Sequence, residues 1–167
     1  MECASHFRVK GECVPVGVSP LEFYVLQHDA ESTYDPEPMQ RFDVMGSDGL
    51  GNATAFVLNF TSQRWWADDS LFLKNSSAKS LWRHQLSVVV PAQCQTSPVS
   101  CGDTAWIYVT GGHNPWPALD ASNDDLRQAA ELALSSSTVA AVLKQVPNQP
   151  VVFRDGMRVW TPTQVSL

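Results

Sequence analysis

The chain has 167 residues, enough for one domain, and its 44% hydrophobic and 17% charged side chains are the balance of a protein with a buried core, not of a disordered tail. Eleven Lys and Arg against seventeen Asp and Glu leave a formal charge of −6, and the basic residues are scattered, which excludes the basic face of a nucleic-acid-binding domain. No apolar run approaches the roughly 18 residues of a membrane helix; the longest, such as Ser87-Val88-Val89-Val90-Pro91, are strand-sized.

Residues 1–20 carry Cys3, Cys13, Pro15 and Pro20 and read as an irregular lead-in. The opening decapeptide MECASHFRVK has no continuous apolar stretch ahead of its charges, so it does not read as a secretory signal. Residues 28–38, polar and interrupted by Pro36 and Pro38, read as loop. Arg41 to Met45 is a short alternating run, followed by a turn with Gly46, Gly49 and Gly51. Thr54 to Thr61 then alternates with a period of two, setting Phe56, Leu58 and Phe60 against Val57, Asn59 and Thr61. The two runs predict an antiparallel hairpin with the Asn59 face outward. Residues 64–81 read as a surface excursion anchored by Trp65 and Trp66, and His84 to Val90 as a third strand stopped by Pro91. Thr104 to Thr110 is almost wholly β-branched or aromatic, which predicts a fourth strand covered on both faces with Trp106 in the core.

Gly111-Gly112-His113-Asn114 follows that strand directly. Ser122 with Asp125 then resembles a capping box, and Leu126, Ala129, Ala130, Ala133 and Leu134 form one apolar helical stripe. Thr138 to Val146, rich in Val and Ala and closed by Pro147, reads as a fifth strand. Strand, glycine turn, helix and strand make a βαβ unit, so antiparallel strands pass into a parallel crossover and the sheet is mixed α/β. Beyond Pro150 there is no helical stripe and no recognisable partner strand.

Chemistry is sparse. Glycines after a central strand can bend the backbone and expose N–H groups that hold an oxyanion, although an ordinary strand-to-loop turn also uses them. Gly111, Gly112, His113 and Asn114 are the candidates. No Gly-x-Ser-x-Gly elbow exists, and Gly46-Ser47-Asp48-Gly49 has the wrong spacing, so no nucleophile is in place and His84 and His113 have no catalytic partner. His84 on a strand is expected to be a satisfied core residue. Cys94 and Cys101 lie too far apart for a zinc half-site and have no accompanying histidine pair, so no metal or cofactor is expected; a disulfide closing the short loop is. The pairs Asp68-Asp69 and Asp124-Asp125 diverge in direction and read as surface or helix-start charges. Asn52, Asn59 and Asn75 begin glycosylation sequons, about three times the chance number, and with an even cysteine count they point to an extracellular protein.

Several stretches together resemble one family. They are Ser19 to Val25, V-L-N-F-T-S-Q-R-W at 57–65, L-W-R-H-Q-L at 81–86 with V-V-V-P at 88–91, G-G-H-N at 111–114 and V-P-N-Q-P at 146–150. Their order is similar to that in the PhoPQ-activated pathogenicity-related proteins, a family that includes a secreted growth repressor. The resemblance implies an α/β-hydrolase-like fold with the glycine turn where esterases keep an oxyanion hole, and a secreted protein. It divides the chain into a lead-in at 1–19, the N-terminal part of an α/β-hydrolase-like domain at 20–153, and a divergent tail at 154–167. Family members are longer, and the nucleophile belongs to the region after V-P-N-Q-P. The chain is therefore expected to be catalytically incomplete, any ester- or peptide-type hydrolysis belonging to a full-length parent. The alternative is a secreted signalling or binding protein on the same scaffold, with a small-molecule or protein ligand of unknown identity. The parallel edge at 138–146 is expected to stay unpaired and to promote self-association.

Overall fold

A computed structural model describes residues 3–9, 12–27, 29–47, 50–64, 81–112, 118–146, 151–152 and 159–160. In chain order the elements are β1 (Cys3–Val9), β2 (Glu12–Pro15), helix α1 (Pro20–Leu26), β3 (Thr33–Tyr34), β4 (Gln40–Met45), β5 (Asn52–Arg64), β6 (Leu81–Pro91), the short helix α2 (Ala92–Thr96), β7 (Ala105–Val109), helix α3 (Asp124–Ser136), β8 (Val139–Leu143), β9 (Val151–Val152) and β10 (Val159–Trp160). Six strands form one mixed sheet in the order β3-β5-β6-β8-β7, with β4 also pairing β5. All pairs are antiparallel except β7 with β8. Two small antiparallel ladders, β1 with β2 and β9 with β10, stand apart. The lead-in is thus not irregular: it forms a hairpin, which polar sequence and a cysteine at either end did not reveal.

Sheet register decides the core. Ala53, Ala55 and Val57 on β5 face the same way as Val89 on β6 and Ala140 and Val142 on β8. Against that face lies α3, whose stripe of Leu126, Ala129, Ala130, Ala133 and Leu134 is wholly buried. Alanines on both layers let helix and sheet approach closely, and Leu126 fills the space between them. The helix starts one residue later than the capping pattern suggests: Asn123 is the N-cap, its Oδ1 accepting the Leu126 N–H at 3.3 Å. Lys144, just past β8, pairs with Asp125 in the first turn of α3 and so ties the helix start to the sheet. Gln40 pins the approach to α3 through a two-way amide contact with the Leu119 backbone, at 3.0 and 3.2 Å.

Three expectations are corrected. Residues 138–146 are not an edge: β8 lies between β6 and β7, with ladders on both sides. The edge is β7, every residue of which is exposed, and Trp106 is 53% exposed instead of core. A continuous apolar run marks a strand suited to cover, but among the described residues nothing covers it. Lastly, Asn59 shares the helix-covered face with Val57, and its amide oxygen is buried. The outer face belongs to Phe56, Leu58 and Phe60, so a glycan on Asn59 cannot leave from it as expected.

Candidate functional site at the carboxyl end of the sheet

Because β7 and β8 are parallel, their carboxyl ends reach the same rim. Both β6 pairings are antiparallel, so β6 begins and β5 ends there too. The rim therefore gathers Thr61–Arg64, Leu81–Gln85, Thr110–Gly112 and Lys144–Val146, parts of four of the stretches singled out in the sequence. In open α/β sheets, ligand crevices lie outside the carboxyl ends of the strands.

The glycine turn extends the β7–β8 ladder past its last residues. Thr110 N–H donates to Leu143 O at 2.9 Å, Gln145 N–H to Gly111 O at 3.2 Å, and Val146 N–H to Thr110 O at 3.2 Å. Gly112 has a φ of 134°, which only glycine adopts without strain. A Cβ there would meet nothing closer than Gln145 atoms at 3.6 Å, so conformation and not space demands glycine. Both glycines are exposed, and neither amide N–H donates to a described residue. His113 and Asn114, the other half of the expected turn, lie outside the described residues, as do Asn75, Asp68 and Asp69.

Behind the turn is a polar network that the sequence did not show. Gln145 sits in the left-handed region, φ 59°, fully buried. Its Oε1 accepts the Gln85 N–H at 2.7 Å, and Lys144 N–H donates back to Gln85 O at 3.0 Å. His84, 2% exposed, bonds Lys144 O through Nδ1 at 3.0 Å and the Ser62 hydroxyl through Nε2 at 2.8 Å. Burial lowers its pKa below the ordinary imidazole value, opposed by backbone hydrogen bonds to Lys144 and Gln145. His84 is thus a satisfied buried residue, as expected, but one of its two partners is a serine that the sequence had not singled out. The signal existed, since Ser62 belongs to T-S-Q-R-W, but its pairing depends on a β-bulge between Thr61 and Gln63.

Elsewhere, Cys94 and Cys101 form the expected disulfide, and none of the described cysteines is free. Asp124 and Asp125 open α3, as their reading as helix-start charges requires. Asn52 is exposed at the start of β5. No group of three or more metal-ligating side chains occurs, and no helix is long and apolar enough to cross a membrane, among the described residues.

A mixed α/β sheet with a glycine turn at the carboxyl end of its parallel pair is the frame into which the sequence comparisons fall. The chain belongs to the family of PhoPQ-activated pathogenicity-related proteins, whose model matches residues 29–161. It is similar to autocrine proliferation repressor protein A of Dictyostelium discoideum, with 36% identity over 107 residues, which make up 63% of this chain and 18% of that protein. The chain therefore spans less than a fifth of that relative's length. No solved structure matches it.

Proposed function

We propose that the chain is the N-terminal part of a secreted α/β-hydrolase-like protein, carrying the anion-holding turn while the nucleophile that would face it belongs to the rest of the parent. The observation that carries this reading is the exposed Gly111–Gly112 pair. Two amide N–H groups without described acceptors follow a parallel strand, and the chain then enters the helix that returns to the next strand. A turn between a strand and the first crossover helix is where this fold class supplies an oxyanion donor. Further support comes from β7. A parallel strand is ordinarily buried on both faces, whereas Ile107 is 64% exposed, and β7 has one free ladder edge among the described residues. More sheet, and helices on the outer face, would complete it. The disulfide and the exposed Asn52 sequon fit an extracellular setting.

Titrating the isotopically labelled chain with acetate or methylphosphonate tests the turn. The Gly111 and Gly112 amide resonances are expected to shift; if both stay fixed while anions reach saturation elsewhere, the turn holds no anion. A Gly-x-Ser-x-Gly elbow in the genomic sequence downstream would identify an enzyme parent. The second reading, a secreted growth regulator without catalysis, is favoured by the named role of the relative. Its test is to add the purified protein to cells of its own source and count proliferation.

A further inference from the structure

The same rim holds a second arrangement that the glycine turn does not use. Ser62 lies at the β5 bulge, where Thr61 faces Arg83 but Gln63 already faces Trp82. Bulges re-aim side chains, and here the bulged hydroxyl meets the His84 ring on the neighbouring strand. The proton positions follow from chemistry. A carbonyl oxygen only accepts, so the Lys144 O contact places the ring proton on Nδ1 and leaves the lone pair on Nε2. Ser62 Oγ–H is then the donor in the 2.8 Å contact. This is the proton arrangement of a serine whose base is already in position, with a backbone carbonyl orienting the imidazole where a serine hydrolase uses a carboxylate.

We propose that Ser62 is an activated nucleophile with His84 as its general base, and that it accepts an acyl group from a small uncharged ester. The apolar character of the donor follows from the neighbours of the imidazole. The Phe60 and Trp82 rings lie with centroids 6.1 and 6.3 Å from it, and the nearby Arg64 guanidinium is engaged by Glu31 at 3.0 Å. In the step, the Oγ–H bond breaks and its proton passes to Nε2 while Oγ bonds to the ester carbonyl carbon. The bond to the leaving oxygen then breaks, that oxygen takes the proton from the imidazolium, and the products are an O-acyl serine and a free alcohol or phenol. Burial keeps the imidazole neutral, with the Nε2 lone pair available, and the hydrogen bond from Nδ1 to Lys144 O offsets part of the cost of the imidazolium formed in the step. The site is separate from the glycine turn and does not rest on the hydrolase-like reading.

The test is covalent labelling of the purified chain, with an alkyl fluorophosphonate and separately with p-nitrophenyl acetate, followed by peptide mass mapping. Ser62 is expected to react on the order of 100-fold faster than the exposed Ser100 and Ser122 of the same molecules, the size of a general-base contribution. Ser62→Ala should abolish the adduct and leave the anion response of Gly111 and Gly112 intact; His84→Gln should slow labelling by a similar factor. Labelling of Ser62 no faster than that of Ser100 and Ser122 overturns the proposal, and this comparison within the unaltered chain does not depend on any variant folding. Unchanged Ser62 labelling in a folded His84→Gln chain overturns it as well.

Discussion

Replacing Gln145 with alanine is expected to destabilise the chain by about 2–4 kcal/mol, although the residue belongs to no helix or strand. The magnitude comes from two losses. Its Oε1 is the acceptor of the buried Gln85 N–H at 2.7 Å, and an orphaned buried donor costs about 1–3 kcal/mol. Its methylenes pack beside Gly112, and each methylene lost from a buried position costs about 0.8 kcal/mol. Backbone conformation supplies a control. At φ 59° any residue with a Cβ is strained by about 1–2 kcal/mol, and glycine is not. Gln145→Gly should therefore be more stable than Gln145→Ala by about 1 kcal/mol, the reverse of the usual order in regular elements. Urea unfolding measures both, and amide exchange at Gln85 reports the orphaned donor directly. An alanine variant with an unchanged midpoint and a still-protected Gln85 amide would refute this account, as would a glycine variant weaker than alanine.

Gly46→Ala should cost about 1–3 kcal/mol through overpacking, since its Cβ would lie 2.6 Å from Leu134 Cδ1, and combining it with Leu134→Ala should recover part of that loss in urea melts. Because the folded pKa of His84 lies below the ordinary 6.5, the unfolded chain binds the proton more readily; His84's contribution to stability is complete above pH 6.5 and is lost as pH falls toward the folded pKa, and urea midpoints in folded His84→Gln should show a weaker acid dependence there. Removing the Cys94–Cys101 bridge, which spans seven positions, by Cys94→Ser together with Cys101→Ser should lower stability by about 2 kcal/mol in urea titrations. Ile107→Lys on the exposed edge strand should shift size-exclusion elution of concentrated protein toward monomer; a sharp monomer peak from the unaltered chain at the same concentration would count against association through that edge.

What the sequence disclosed, and what it hid, divides along physical lines. The α3 stripe and the β4–β5 hairpin were legible because one buried face imposes a period of 3.6 or 2 on the apolar residues. The glycine turn was legible because glycine alone fits a φ of 134° at Gly112. Strand order was not. Consecutive strands usually lie side by side, but β6 is followed in sequence by β7 while β8 is the strand inserted beside it, so chain order alone puts residues 138–146 at the edge. The Ser62–His84 contact was hidden for another reason. It joins residues 22 positions apart through a bulge, and its tautomer is set by a carbonyl 60 positions beyond His84, none of which leaves a periodic trace.

The strands also change chemistry along their length. Toward the amino ends of β7 and β8 the covered face is Ala53 and Ala55 against Val89 and Ala140, an apolar patch. Two residues further along, the same face carries Ser87, Gln85 and Asn59, whose side-chain oxygens are buried with no hydrogen-bond partner among the described residues. Apolar side chains would fill these positions at lower cost, since an unpaired buried polar atom forfeits about 1–3 kcal/mol. Stability is thus given up along this stretch of the sheet, whose carboxyl rim also holds the strained Gln145, the Gly112 turn and the buried His84. Unpartnered buried polar atoms running up to a rim with a strained glutamine and a glycine turn are what a site retained for its chemistry looks like.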